Sequence, residues 1–192
     1  MKSTTATIDT SVLCSLQSAQ LLGAISVLFD RVLVPQRVRK ELSARAESNR
    51  AALSAIQEFA FFEHCDEFDA SLVRWLLDTR QNLKQGRDEG EAEAVIQAAE
   101  RSTVVLVDDP LGRKWAKSHA VECHGTIWLC RELRFRGYLR ELRLYFLRMV
   151  SHGRRLPLED MNRYLTEFDE ALITQQEYES ALTPKPDSDS VY

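Results

Sequence analysis

Short apolar runs that alternate with helical stretches constrain this chain more than any other feature. Residues 4–8 are rich in β-branched side chains and stop at Asp9. Val32-Leu33-Val34 stops at Pro35, and Thr103–Val107, the strongest strand signal, stops at Asp108-Asp109-Pro110. Phe59–Phe62 and Val121–Cys123 predict two weaker strands. Between them, caps and apolar periodicity predict helices over 10–29 (broken near Gly23), 36–45, 50–58, 68–84, 88–101, 111–119 and 125–136. In the fourth of these, Leu72, Trp75, Leu76 and Leu83 share one side; Gly137 stops the last. The alternation predicts an α/β fold: a mostly parallel sheet with helices on both faces. The working site of such a sheet lies beyond the carboxyl ends of its strands.

Composition narrows the class. The chain has 192 residues, 44% hydrophobic and 28% charged, with 7 Gly and 5 Pro. It can bury a real core and is neither collagen-like, disordered nor a disulfide mini-protein. No apolar run reaches the ~18–20 residues of a membrane span. The start, Met1-Lys2-Ser3-Thr4-Thr5, lacks a secretory signal pattern, so the expected compartment is the cytoplasm. Cys14, Cys65, Cys123 and Cys130 have no C-x-x-C spacing and read as small buried hydrophobes rather than a zinc knuckle. His64, His119, His124 and His152 have neither triad nor metal-binding spacing. Neither G-x-G-x-x-G nor G-x-x-x-x-G-K occurs, which argues against dinucleotide and P-loop chemistry.

The informative pattern is acidic. Asp9 follows the first predicted strand and Asp108-Asp109 the strongest one, so both places fall on one rim of a parallel sheet. Glu41 lies on the helix after the second strand, and Asp88, Glu89, Glu91 and Glu93 crowd the start of another helix. Singly, each has an ordinary role: a cap, a capping box at Asp88-x-x-Glu91, or a first-turn acid favoured by the helix dipole. Jointly they carry a cost, because two carboxylates ~5 Å apart repel by about 3 kcal/mol at an effective dielectric of ~20. A hard divalent ion with oxygen ligands relieves it, and Mg²⁺ or Mn²⁺ suits the set. Such an ion can activate water and neutralise a phosphodiester.

The order Ile8-Asp9-Thr10-Ser11, Val34-Pro35-x-x-Val38-x-x-Glu41-Leu42, Gly90-Glu91-Ala92-Glu93-Ala94-Val95-Ile96, Val107-Asp108-Asp109-x-x-Gly112-Arg113 and Gly125-Thr126 resembles a PIN domain. It is most similar to the branch that includes VapC-type toxin-like proteins, over residues 4–138. The resemblance implies a three-layer α/β/α sandwich and Mg²⁺- or Mn²⁺-dependent endoribonuclease activity. It maps the family's acids onto Asp9, Glu41, Glu91 and Asp109, with Asp108 able to replace or assist Asp109 as a metal ligand. Glu93 competes with Glu91, but two residues on a helix point ~200° apart. Glu91 is preferred, because Val95 and Ala98 then face the same way and Glu93 points out. Thr10 or Ser11 is expected to donate to a ligand carboxylate or to a metal-bound water. Arg113 either anchors the Asp-Asp loop or is a surface residue, and Thr126 is counted as supporting. RNA, an antitoxin protein and a homodimer are the expected partners. The rival reading is a PIN-like module that binds RNA or a protein without cutting it. Phosphotransfer folds that use carboxylates and Mg²⁺ want their acid pair after the first strand, where Asp9-Thr10-Ser11 lacks a second acid.

The expected division is a PIN-like domain over 1–138, a helical extension over 139–183 packed on it, and a disordered tail over 184–192. In the extension, Leu142, Tyr145, Phe146 and Met149 have the spacing of one helix face. Net charge is −4, yet residues 131–155 hold eight Arg and two Glu. That stretch is either a solvated face or a phosphate-contacting surface, for which Arg140, Arg143 and Arg148 are the candidate RNA-binding residues.

Overall fold

The computed structural model describes residues 4–44, 47–78 and 88–183. Two compact units, Met1–Leu129 and Cys130–Tyr192, divide the chain. In the first unit the strands are β1 (Thr5–Ile8), β2 (Arg31–Pro35), β3 (Phe62–Cys65), β4 (Val104–Leu106) and β5 (Cys123–His124). Its helices are α1 (Thr10–Ser18), α2 (Gln36–Ala44), α3 (Glu47–Glu58), α4 (Ala70–Asp78), α5 (Glu89–Arg101) and α6 (Pro110–Ser118), and α7 (Thr126–Phe135) begins at its end. The sheet runs β3-β2-β1-β4-β5 with every pair parallel. This is the expected α/β architecture of the PIN-like three-layer type.

The strand order explains where a site can form. The chain lays β2 and β3 on one side of β1, then returns to place β4 and β5 on the other. Neighbouring connections therefore diverge above β1 and β4, which opens a crevice at their carboxyl ends. Ala6↔Val104, Thr7↔Val105 and Ile8↔Leu106 are in register, and the Asp9 N–H donates to the Leu106 carbonyl at 3.0 Å. Asp9 and the end of β4 are thus tied to one level. The core beneath them includes Ile8, Leu13, Leu16, Val34, Leu42, Ile96 and Leu106, all buried. Helix α5 packs along β1, β2 and β4. Its small residues Ala92, Ala94 and Ala98 permit that close approach, and Val95 and Ile96 fill the space between.

Several boundaries differ from expectation for local reasons. The third strand is Phe62–Cys65, not Phe59–Phe62. The Phe59 N–H still donates to Ala55, closing the last turn of α3, and pairing with Val32–Pro35 begins only at Phe62. The helix expected over 10–29 stops at Ser18, because Gln20 takes a left-handed φ of 60°. A 3-10 turn covers Gly23–Val27. In α4, Leu76 is buried, but Leu72 and Trp75 are exposed, the latter by 57%. That helix buries a single row rather than the expected side. Leu83 and the rest of the expected helix to Lys84 lie outside the described residues.

The second unit contains α8 (Leu142–Ser151), α9 (Leu158–Glu167) and α10 (Gln175–Leu182). Leu142, Phe146 and Met149 are buried as their spacing predicts, with Tyr145 half-buried, and Met161, Leu165 and Ile173 are buried as well. The residues 184–192 expected to be disordered lie outside the described residues. Among the described residues no helix is long and apolar enough to cross a membrane. The four cysteines are free, three of them buried and Cys123 half-buried.

Candidate active site

Asp9 leaves β1 in extended conformation and caps α1. Its Oδ2 accepts from the Ser11 N–H at 2.9 Å and the Ser11 hydroxyl at 2.6 Å. Its Oδ1 is buried without a hydrogen-bond partner. Burial outweighs the Ser11 bonds, and with the charge of Glu41 nearby the Asp9 pKa is pushed up to about 6.

Glu41 projects from α2. The Thr10 hydroxyl donates to its Oε2 at 2.6 Å, and Arg37, one turn earlier, stands 3.5 Å from its Oε1. Arg37 also pairs with Glu89 at 3.0 Å, joining α2 to the first turn of α5. Gly90 makes that approach feasible, since a Cβ there would lie 3.0 Å from both Glu41 carboxylate oxygens. Glu91 follows. Burial, then the charges of Asp9, Glu41 and Asp109, push its pKa up to about 7. Asp109 caps α6, its Oδ1 accepting from the Leu111 N–H at 2.7 Å. At Gly112 a Cβ would lie 2.6 Å from the Val107 side chain, so glycine lets α6 start this close to the end of β4, with the Glu91 Cβ in ordinary contact at 3.5 Å. Asp9, Glu41, Glu91 and Asp109 therefore share one electrostatic neighbourhood.

Asp108 faces elsewhere. Its Oδ1 accepts from the Thr126 N–H at 2.8 Å and its Oδ2 from the Thr126 hydroxyl at 2.6 Å. Arg113 lies 3.8 Å away and donates to the Asp108 carbonyl at 3.3 Å. Asp108 thus ties the end of β4 to the start of α7, and burial raises its pKa. This use of both oxygens speaks against Asp108 as an alternative ligand. Glu93 does not point out as expected: it is only 3% exposed, and its Oε2 accepts from the Arg37 N–H at 2.8 Å at the start of α2. The reason is that α5 is enclosed on nearly all sides, so both Glu positions are covered. The charges near Glu93 are those of Lys40, Asp66 and Arg37, not those of the Asp9 group. Arg37, Gly90, Gly112 and Gly125 were not singled out in the sequence for these roles. For Arg37 the legible signal is its i,i+4 spacing to Glu41.

Among the candidate RNA-binding arginines, Arg143 pairs with Glu177, whereas Arg140 is exposed and Arg148 half-buried. Arg131 pairs with Glu132 and Glu167, and Arg134 with Glu170. Arg131, Arg134 and Arg143 are therefore neutralised by acids that lie 34 to 36 residues later.

A family model described as PIN domain matches residues 5–170. The chain belongs to the PIN domain family. The match continues past residue 138 through α8 and α9. PIN domains are generally nucleases, so the fold is of nuclease type. No curated protein matches the chain. PIN domains typically use divalent metals. Among the described residues no group of three or more His, Cys, Asp or Glu side chains is drawn together as a ready metal shell. The donor chemistry nevertheless fits a hard cation: every candidate ligand is a carboxylate, and the buried, unpartnered Asp9 Oδ1 lies among acids whose charges repel.

Proposed function

We propose that this PIN domain is a Mg²⁺- or Mn²⁺-dependent endoribonuclease, and that it acts in the cytoplasm as the toxin of a toxin–antitoxin pair. The observation that carries the reading is Asp9. A carboxylate oxygen is held buried and unpartnered while Glu41, Glu91 and Asp109 crowd the same neighbourhood. Such an arrangement is costly until a cation joins it. Asp9, Glu91 and Asp109, with Glu41 beside them, are the residues that would hold the ion. Once bound, it would supply an activated water and neutralise charge on the scissile phosphate.

The chain's own groups prepare that chemistry. Ser11 fixes Asp9 by holding Oδ2, which leaves Oδ1 buried without a hydrogen-bond partner. Thr10 and Arg37 fix Glu41, and the Asp108–Thr126 pair sets the loop from which Asp109 projects. The protein is expected to degrade RNA with Mg²⁺ or Mn²⁺ and to lose the activity in EDTA. Asp9→Asn should remove most of it while the fold persists, since Asn can still accept from Ser11. Undiminished cleavage in EDTA or by Asp9→Asn would overturn the proposal. The rival, a module that binds RNA or a protein without cutting, draws on the lack of a tightly drawn acidic group among the described residues. It predicts binding without cleavage under every metal condition. The toxin role implies an antitoxin, and a homodimer is a further expectation. Growth arrest on expression, relieved by co-expressing the product of an adjacent small gene, tests that role.

A further inference from the structure

We infer that the segment Phe135–Arg140 in the second unit is a stacking platform for single-stranded RNA; this rests on the ribonuclease reading above and adds the surface, outside the acidic site, that holds the strand. Two large aromatic residues lie within four positions of each other, Phe135 exposed by 68% and Tyr138 by 59%. Neither serves the core, while Leu133, Leu139 and Leu142 around them are buried and hold the segment down.

Backbone hydrogen bonds set how the segment leaves the helix. Helix α7 ends with Gly137 at φ +79°; the Gly137 N–H donates to Arg134 at 2.9 Å and the Tyr138 N–H to Leu133 at 2.9 Å. That pair of bonds is a Schellman closure, which commonly folds the residue after the glycine back onto the helix. Here Tyr138 instead stays exposed. The Arg131 guanidinium lies 5.2 Å from the Phe135 ring centroid and is itself held by Glu132 and Glu167. One side of the ring is thus fixed by a pinned cation. Exposed aromatic rings on a backbone held by such bonds suit stacking by unpaired bases, whose faces are hidden in a duplex.

Charge points to the same occupant. Phe135-Arg136-Gly137-Tyr138-Leu139-Arg140 contains two arginines, both exposed, and no acid. Arg140 has no acidic partner among the described residues, in contrast to Arg131, Arg134 and Arg143. Exposed aromatic rings beside Arg140 complement a chain of bases on a phosphate backbone.

The test is binding, by fluorescence anisotropy in EDTA, of an oligoadenylate of about ten nucleotides. The Phe135→Ala/Tyr138→Ala double variant should bind at least about tenfold more weakly than the parent. Tyr138→Phe should bind like the parent, and Arg140→Gln should lower the salt slope by about one. An abasic strand of the same length should bind the parent as weakly as oligoadenylate binds the double variant. Unchanged affinity in the double variant, equal affinity for the abasic strand, or no binding by the parent overturns the platform, including in favour of a protein partner at this surface. Metal-dependent cleavage of a long RNA, measured on the same preparation, separates the readings. Cleavage without an aromatic effect overturns the platform alone, whereas neither cleavage nor binding overturns both.

Discussion

At the scale of single residues, glycines set how closely the elements meet. A Cβ on residue 125 would overlap Arg113 Nη2 and stand 2.5 Å from Asp108 Oδ1. The Arg113 side chain can swing away, but Asp108 is held by two bonds from Thr126. Gly125→Ala should therefore destabilise the protein by about 1–3 kcal/mol, and adding Arg113→Ala should not restore stability, as chemical denaturation would show. Thr126→Val is nearly isosteric and strips the donor from Asp108 Oδ2; it should cost about 1–3 kcal/mol, whereas Thr126→Ser should recover most of the loss. Gly90→Ala behaves differently. The new methyl would press on Glu41 at 3.0 Å, while alanine favours a helix by about 1 kcal/mol over glycine. Stability should change little and RNA cleavage should fall about tenfold, because a small displacement near the reacting centre costs rate rather than folding. A variant with lost stability and intact cleavage would contradict this account.

At the scale of elements, long-range pairing explains what the sequence left unread. Strands β1, β2 and β4 were legible because each is a short apolar run closed by Asp9, Pro35 or Asp108. Strand β3 was displaced by three residues, because Phe59-Ala60-Phe61 looks like a strand, yet Phe59 closes the last turn of α3 and the Phe62 N–H bonds back to the Phe59 carbonyl in a turn. Asp9, Glu41, Glu91 and Asp109 were legible as strand-end and helix-start acids. The burial of Glu93 was not, since it depends on the start of α2 reaching α5. Residues 131–155 mislead for the same reason: their acids Glu167, Glu170 and Glu177 arrive from later helices. Glu170 is the clearest case. It accepts from the Leu142 and Arg143 N–H groups at 2.9 Å each and pairs with Arg134 at 3.2 Å. Glu141, in the cap position of α8, makes no side-chain cap bond, so Glu170 serves that end from a distance. Glu170→Ala should cost about 1–2 kcal/mol and loosen α8, read as faster hydrogen exchange of the α8 amides. Glu141→Ala should do neither.

At the scale of the whole molecule, the acidic group couples stability to pH and to cations. Asp9 rises from 3.8 to about 6 and Glu91 from 4.5 to about 7, mainly through burial. Each carboxyl holds its proton more tightly in the fold than in the unfolded chain. Below their ordinary values both states are protonated and no penalty exists. As pH climbs through the window to about 7, the fold must accept charges it resists, so stability without metal falls as pH rises. Asp108 and Glu93 are also raised by burial and act with the same sign. Glu63, Asp69 and Glu177 are held low by their partners and act with the opposite sign, but only at more acidic pH. For Glu91 the loss is on the order of 2–3 kcal/mol. A divalent cation that binds the ionised group should remove it, since binding to the native state alone stabilises that state. Thermal denaturation in EDTA should thus give a melting temperature that declines between about pH 5 and pH 7. The gain on adding Mn²⁺ should grow across the same interval. Asp9→Asn should flatten the decline in EDTA and shrink the Mn²⁺ gain together, because one carboxylate underlies both. A parent whose stability in EDTA is level across that interval, or whose Mn²⁺ gain is the same at both ends, would break the link between the buried acids and a cation.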